Sequence, residues 1–167
     1  IPMPLRGVRI LGVDDNPTNR LVLEKTLQKY LARIDMIAGG TQVLEKLEQA
    51  EKAGDQYRII LLDMQMPEMD GEETLELIKS SPFGGEVEVI ILTSMGKRGD
   101  AARLQEMGCA GYLVKPIQQR QLVEIIGTVL GQSGEEPLDA ERIFVTKELV
   151  SEQKRNAARI LLAEDNL

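Results

Sequence analysis

Residues 59–71 read Ile-Ile-Leu-Leu-Asp-Met-Gln-Met-Pro-Glu-Met-Asp-Gly, so a short apolar run is followed at once by an acidic residue, Asp63. Four consecutive apolar residues without polar alternation are typical of a strand buried on both faces, as in a parallel sheet. Asp70-Gly71 has the turn chemistry that begins a helix. Burying an unpaired carboxylate after such a strand would be costly, so the pattern favours a functional role for Asp63.

Apolar runs and amphipathic stretches alternate in the same way along most of the chain. Strands are predicted at residues 8–13, 33–37, 59–62, 87–92 and 111–114. Helices are predicted at residues 17–31, 41–53, 71–80, 100–107 and 118–130, the first with Leu23, Leu27 and Leu31 in register. Five strands alternating with five helices give a parallel sheet covered on both sides, and right-handed crossovers make it a doubly wound α/β domain.

Polar residues follow four of the predicted strands at the point where each strand ends. They are Asp14-Asp15, Asp63, Thr93-Ser94 and Lys115-Pro116. In an open parallel sheet, functional groups collect beyond the carboxyl ends of the strands. The sequence therefore predicts that three carboxylates, one hydroxyl and one ammonium group meet at one edge.

This set of groups suits phosphoryl chemistry. Clustered carboxylates repel one another unless a cation compensates, and all-oxygen donors favour a hard ion such as Mg²⁺. A carboxylate beside that ion can act as a nucleophile towards phosphorus and form an aspartyl phosphate. The Lys115 ammonium can pair with one phosphoryl oxygen, and the Thr93 hydroxyl can donate to another.

Four motifs, in order and at predicted strand ends, resemble the response-regulator receiver family over residues 6–131. The motifs are Val13-Asp14-Asp15-Asn16, the stretch from Leu62 to Gly71, Leu92-Thr93-Ser94, and Gly111-Tyr112-Leu113-Val114-Lys115-Pro116. The resemblance implies a flavodoxin-like receiver fold with five strands in the order 2-1-3-4-5. It also implies a cis peptide bond before Pro116.

The resemblance assigns a role to each site residue. It makes Asp63 the phosphoacceptor, with Lys115 binding the phosphoryl group and Thr93 with Tyr112 forming a switch pair. Mg²⁺ or Mn²⁺ would be held by Asp14, Asp15, Asp63 and the backbone carbonyl of Gln65. The expected partners are a histidine kinase or a His phosphotransfer domain as phosphodonor, and the domain itself is a phosphoacceptor rather than an enzyme.

Beyond the predicted fifth helix the pattern changes. Residues 132–157 read as a linker, and residues 158–167 repeat the pattern of residues 9–16. We therefore expect a receiver domain at 6–131 followed by the truncated start of a second one. This arrangement is similar to hybrid sensor histidine kinases with tandem receivers. We expect either the tail or the fourth and fifth helices to support self-association. The tail could do so as a helix over residues 151–163 or as a strand added to the sheet edge of a neighbouring chain.

Composition excludes several functions. The 167 residues contain no His, so the chain cannot itself be a histidine kinase core or a His phosphotransfer module. A net charge of −7 argues against nucleic acid as a partner, because an acidic surface repels the phosphate backbone. No apolar run approaches the roughly 20 residues that span a bilayer, and Ile1 opens no secretory leader, as in a piece cut from a longer protein. With the single Cys109, this predicts a cytoplasmic domain without membrane contact, whose parent protein can be membrane-anchored.

Alternative interpretations stay open at this point. An aspartate-nucleophile phosphohydrolase also uses a strand-end Asp, but it needs an acid two residues later, where this chain has Gln65. A degenerate receiver could serve only as a scaffold. Taken alone, Asp14 and Asp15 could be helix N-terminal acids, and Thr93 a plain strand former.

The same resemblance bears on the lifetime of the phosphoryl group. In the family, the residues two after the acceptor and two after the Thr tune hydrolysis, and here they are Gln65 and Met95. Gln65 can orient a water, whereas Met95 offers no hydrogen bond to hold one. We therefore expect slow self-hydrolysis.

Overall fold

The computed structural model describes residues 5–94, 99–133 and 145–146. The predicted conformation of the tail and the predicted influence of Met95 fall outside these residues. The strands are β1 (Arg9–Val13), β2 (Arg33–Ile37), β3 (Ile59–Asp63), β4 (Glu88–Thr93), β5 (Gly111–Val114) and β6 (Val145–Thr146). The α-helices are α1 (Pro17–Gln28), α2 (Val43–Lys52), α3 (Gly71–Ser80), α4 (Asp100–Glu106) and α5 (Gln119–Ser133), with a 3₁₀ turn at Gly40–Gln42 before α2.

The strands form one parallel sheet in the order β2-β1-β3-β4-β5-β6. The five predicted strands and their order are confirmed. The sixth was not predicted: Val145 pairs with Gly111 and Thr146 with Tyr112, inside the range predicted as linker. Two residues carry no periodic signal, and this strand forms by pairing with the open edge of β5.

Each face of the sheet has its own hydrophobic core, which confirms the doubly wound arrangement. On one face, Ile10, Ile59, Leu61, Ile90 and Leu113 pack against residues of α1 and α5. On the other face, the alternate strand residues pack against α2, α3 and α4; they include Leu11, Ile60, Leu62, Val89 and Ile91. Burial of each such side chain contributes roughly 1.5–3 kcal/mol, so the strand core holds the site edge in place.

The first helix ends earlier than predicted. It ends at Gln28, and Leu31 adopts φ 60° outside it with 47% of its surface exposed. The Leu31 N–H donates to the Gln28 carbonyl, and the Ala32 N–H donates to the Leu27 carbonyl. This pairing is a Schellman termination, which turns the chain towards β2. Apolar periodicity alone placed Leu31 on the helix because the terminating turn has no glycine to reveal it.

The last helix runs further than predicted. α5 continues to Ser133, beyond the predicted end at residue 130 and into the range predicted as linker. Nothing lies within 4 Å of where a Cβ would stand on Gly131, so this glycine is in an open position. A glycine inside a helix costs only about 1 kcal/mol, which is not enough to stop a helix that already packs on the sheet.

Candidate functional site

Four strands deliver the predicted site residues to one edge of the sheet. Asp14 directly follows β1, Asp63 is the last residue of β3, Thr93 is the last residue of β4, and Lys115 directly follows β5. All four strands are parallel, so these positions lie at the same edge. The convergence expected from the sequence is confirmed.

Three carboxylates form a compact cluster there. One oxygen from each of Asp14, Asp15 and Asp63 lies within 4.8 Å of the others. Asp14 and Asp63 are buried, with 1% and 3% of their surface exposed, whereas Asp15 is exposed. Burial raises the pKa of Asp63, with a further upward contribution from the charge of Asp14, and the Lys115 hydrogen bond opposes this rise. The cluster therefore concentrates three carboxylates at this edge of the sheet.

Lys115 supplies the cation that compensates part of this charge. Its Nζ lies 2.8 Å from Oδ1 of Asp63 and 3.8 Å from Oδ2 of Asp14. The backbone positions it, because the Lys115 N–H donates to the Thr93 carbonyl at 2.7 Å. The Lys115–Pro116 peptide bond is cis, as predicted. The Lys115 side chain is therefore directed into the acidic cluster.

The loop after β1 holds Asp14 by local hydrogen bonds. The Asn16 N–H donates to Asp14 Oδ1 at 2.8 Å, while the Asn16 side chain accepts from the N–H groups of Thr18 and Asn19 and caps α1. Arg20 donates to the Asp14 carbonyl at 2.8 Å. Asn16 is thus the N-cap of α1, so Asp14 is not the capping acid that a purely structural interpretation would require.

The loop after β3 connects Asp63 to the end of β4. Burial raises the pKa of the Asp63 carboxyl group, and the nearby Gln65 backbone N–H makes a smaller contribution that lowers it. The Ser94 hydroxyl donates to Oε1 of Gln65 at 2.6 Å. The sequence predicted Gln65 as a backbone ligand and as a side chain that can orient a water. It did not predict this contact with Ser94, because the two residues are far apart in the chain and no spacing signals it.

Thr93 and Tyr112 lie on one face of the sheet. Ile91 pairs with Tyr112, and Thr93 is two residues beyond Ile91 on β4, so both side chains point to the side covered by α3 and α4. Thr93 is buried, and Tyr112 is half-buried against the core on that side. This placement is compatible with their predicted pairing as a switch, which stays a prediction.

The donor set fits a hard divalent ion. Three carboxylate oxygens within 4.8 Å match the oxygen-only coordination of Mg²⁺. Lys115 is the one ammonium group in contact with two of these three carboxylates, so it does not balance the charge of the cluster by itself. A cleft of about 230 Å³ beside it opens the site between α1 and the turn after β5; its lining includes Asp14, Asn19, Val22, Lys115, Pro116 and Ile117.

Comparison with known proteins gives the family. A profile of the response regulator receiver domain matches residues 10–127, which includes every candidate site residue. The chain belongs to the response regulator receiver family.

Relatives of this receiver domain include large sensor kinases. It is 30% identical over 128 residues to the sensor protein GacS of Pseudomonas syringae pv. syringae, covering 75% of this chain and 14% of that protein. It is 31% identical over 120 residues to the histidine-protein kinase BarA of Escherichia coli K12, covering 72% of this chain and 12% of that protein. The chain thus spans a small part of the curated relatives it matches.

Solved structures agree with the fold. The receiver domain of sensor histidine kinase PA1611 from Pseudomonas aeruginosa PAO1, solved with a magnesium ion in its active site cleft, has a TM-score of 0.65 and 31% identity. The match covers 75% of this chain and 98% of that one. The receiver domain of the histidine kinase CKI1 from Arabidopsis thaliana, complexed with Mg²⁺ and BeF₃⁻, has a TM-score of 0.63 and 29% identity, covering 76% and 92%. In the described part of this receiver domain, no helix is long and apolar enough to cross a membrane.

Proposed function

We propose that this receiver domain accepts a phosphoryl group from a phosphohistidine onto Asp63 within a two-component phosphorelay. The observation that carries the proposal is the buried Asp63 carboxylate, held at 2.8 Å by Lys115 inside an acidic cluster. A carboxylate paired with one lysine, beside a cleft that Asp14 and Lys115 line, is a nucleophile that a phosphorylated partner can reach.

The reaction follows from the groups present. An Asp63 carboxylate oxygen attacks phosphorus, the bond from phosphorus to the histidine nitrogen of the donor breaks, and its electron pair stays on the imidazole. Lys115 lies close enough to exchange its contact with Asp63 for a new phosphoryl oxygen. Thr93, at the end of β4, supplies a hydroxyl donor.

Asp14, Asp15, Asp63 and the Gln65 backbone carbonyl would hold Mg²⁺ or Mn²⁺. The ion, when bound, neutralises charge on the carboxylates and on the phosphoryl oxygens. Without it, two buried carboxylates and one exposed carboxylate would face an incoming anion with one ammonium group between them. We therefore expect transfer to depend on a divalent ion.

An exposed apolar surface next to the site is available for docking of the phosphodonor protein. On α1, Leu21 and Val22 expose 49% and 58% of their surface, and Val22 also lines the cleft beside Lys115. A histidine kinase or a His phosphotransfer domain could cover these apolar side chains while presenting its phosphohistidine to Asp63. We also propose that the domain lies in the cytoplasm as part of a hybrid sensor histidine kinase. The predicted self-association through α4 and α5 stays a prediction.

A labelling experiment distinguishes a phosphoacceptor from a degenerate receiver that serves only as a scaffold. Wild-type protein and Asp63→Asn are incubated with a small acyl phosphate, with Mg²⁺ or with a chelator, and the intact mass is recorded. The proposal expects one added phosphoryl group on the wild type with Mg²⁺ and none in the other three samples. Absence of labelling in every sample would support a scaffold instead.

A further inference from the structure

A cavity of about 220 Å³ opens at the amino end of the sheet, away from the phosphoacceptor. Tyr57 and Val87, which line it, come just before β3 and β4, whereas Asp63 is the last residue of β3. Most of the length of β3 therefore lies between the cavity and Asp63, roughly 15 Å of extended chain. The cavity is thus a separate site, which needs no phosphoryl group on Asp63.

The inner wall of this cavity is apolar. Leu47, Tyr57 and Val87 are buried, and Phe83 is half-buried against the same core. The Tyr57 hydroxyl donates to Asp35 Oδ2 at 2.6 Å, so it is already engaged. The wall therefore offers apolar and aromatic surface, which suits the methylene stem or the flat face of a ligand.

The rim of the cavity is acidic. Glu51, near the end of α2, and Glu86, just before β4, are exposed, and the third exposed polar residue of the lining, Gln56, is neutral. The lining contains no lysine or arginine, and within the described part of the chain neither carboxylate takes part in an ion pair. The cavity therefore repels anions such as phosphate and attracts cations.

The size and chemistry of the cavity fit one cationic side chain. Sites for whole small molecules usually measure about 300–1,000 Å³, so this smaller cavity suits a single anchoring group. Arginine matches best, because its planar guanidinium stacks on aromatic rings and pairs with carboxylates through two hydrogen bonds. The domain already contains one stacking contact of this kind, since the Arg9 guanidinium lies 4.3 Å from the centroid of the Tyr57 ring.

We propose that this cavity docks an arginine side chain of a protein partner, with the guanidinium paired to Glu51 or Glu86 and the stem against Phe83. The inference goes beyond the phosphoacceptor function and does not rest on it. The cavity lies on the face of the sheet that α2 and α3 cover, whereas the proposed donor surface is on α1, which packs on the other face. A partner anchored here and a phosphodonor can therefore be bound at the same time.

The test is an NMR titration of the unphosphorylated, isotope-labelled full chain with N-acetyl-arginine methylamide. We expect saturable shifts of lining amides such as those of Leu47 and Val87, with a dissociation constant on the order of 10 mM, because a single side chain supplies little binding energy. The citrulline analogue, which has nearly the same shape but no charge, should cause no saturable shift, and the lysine analogue should bind more weakly than the arginine one. Equal responses to the arginine and citrulline probes would overturn the proposal, as would tighter binding of free arginine, which would indicate a site for the amino acid itself.

Variants of the rim and of the wall test the named contacts. Glu51→Gln and Glu86→Gln should each weaken binding about two- to fivefold, the scale of an exposed ion pair. Phe83→Leu keeps an apolar wall without an aromatic ring and should reduce the preference for arginine over lysine. The matched control is Glu48→Gln, which removes the same charge from α2 but does not line the cavity. An equal loss in Glu48→Gln and Glu51→Gln would overturn the proposal, because the probe would then respond only to net surface charge. None of these readouts depends on phosphorylation of Asp63, so failure of the phosphoacceptor function would leave them unchanged.

Discussion

Replacement of Lys115 by Met tests how the acidic cluster is stabilised. At 2.8 Å from Asp63 Oδ1, the ammonium attracts the carboxylate by about 6 kcal/mol at an effective dielectric constant of about 20. Desolvation offsets part of this attraction, and 24% of the Lys115 side chain is exposed to screening water. Loss of one partner of a buried pair costs about 3–5 kcal/mol, so after this discount we expect about 2–3 kcal/mol less unfolding free energy.

The unfolding free energy lost in Lys115→Met should increase as the pH rises. The pKa of Asp63 is already raised by burial, and removal of the Lys115 hydrogen bond raises it further. A carboxyl group with a raised pKa binds more protons in the folded state than in the unfolded state. The destabilisation is therefore absent below the unfolded pKa of about 3.9 and grows as pH rises through the raised folded pKa.

Urea unfolding in a chelator, followed by circular dichroism because the chain has no Trp, measures this effect at pH 5 and pH 8. The loss should be larger at pH 8, and Lys115→Met should cost much less in the Asp63→Asn background. The control is Lys52→Met, which removes a 2.7 Å ion pair with Glu48 on the surface and should change nothing measurable. An equal loss in both backgrounds would refute the reasoning.

Three further predictions concern metal binding, thiol reactivity and packing. Asp15→Asn should weaken stabilisation by Mg²⁺ at least about tenfold in concentration, because it replaces one of the three clustered carboxylates by a neutral amide; an unchanged melting-temperature titration would contradict this. Burial raises the pKa of the Cys109 thiol to about 12, so the folded protein should resist iodoacetamide at pH 8 while the unfolded protein reacts, and equal rates would disprove it. Gly84→Ala should cost about 1–3 kcal/mol in urea unfolding, since its Cβ would lie 2.0 Å from the Ile78 carbonyl oxygen, whereas Gly85→Ala, with nothing within 4 Å, should be neutral; similar losses in both would contradict the packing argument.

The sequence predicted the strands well because they are buried on both faces. Runs such as residues 59–62 and 87–92 have no polar alternation, and every strand residue of β3 and β4 is buried. The same regularity located the site, since polar residues stand where these runs end. Because the strands are parallel, the residues at their carboxyl ends meet at one edge of the sheet. The strand pattern was therefore enough to predict that Asp14, Asp63 and Lys115 lie together.

Features made by single contacts escaped prediction. The end of α1 depends on the positive φ of Leu31. Leucine rarely adopts this conformation, so the sequence does not predict it. The two-residue strand β6 depends on pairing with β5 rather than on its own pattern. The bridge from Ser94 to Gln65 joins two loops that only the sheet register brings together, so one sequence gave no signal for it.

The central claim is that Asp63 carries the phosphoryl group, and residue-level trapping tests it most directly. The protein is phosphorylated by a phosphohistidine donor in Mg²⁺, reduced with borohydride, digested and mapped by mass spectrometry. Borohydride converts an aspartyl phosphate to homoserine and leaves a free carboxylate unchanged. We predict homoserine at position 63 alone, in the peptide that contains the end of β3. Homoserine at Asp14 or Asp15, or an unreduced position 63 in a protein that has gained phosphoryl mass, would contradict the account.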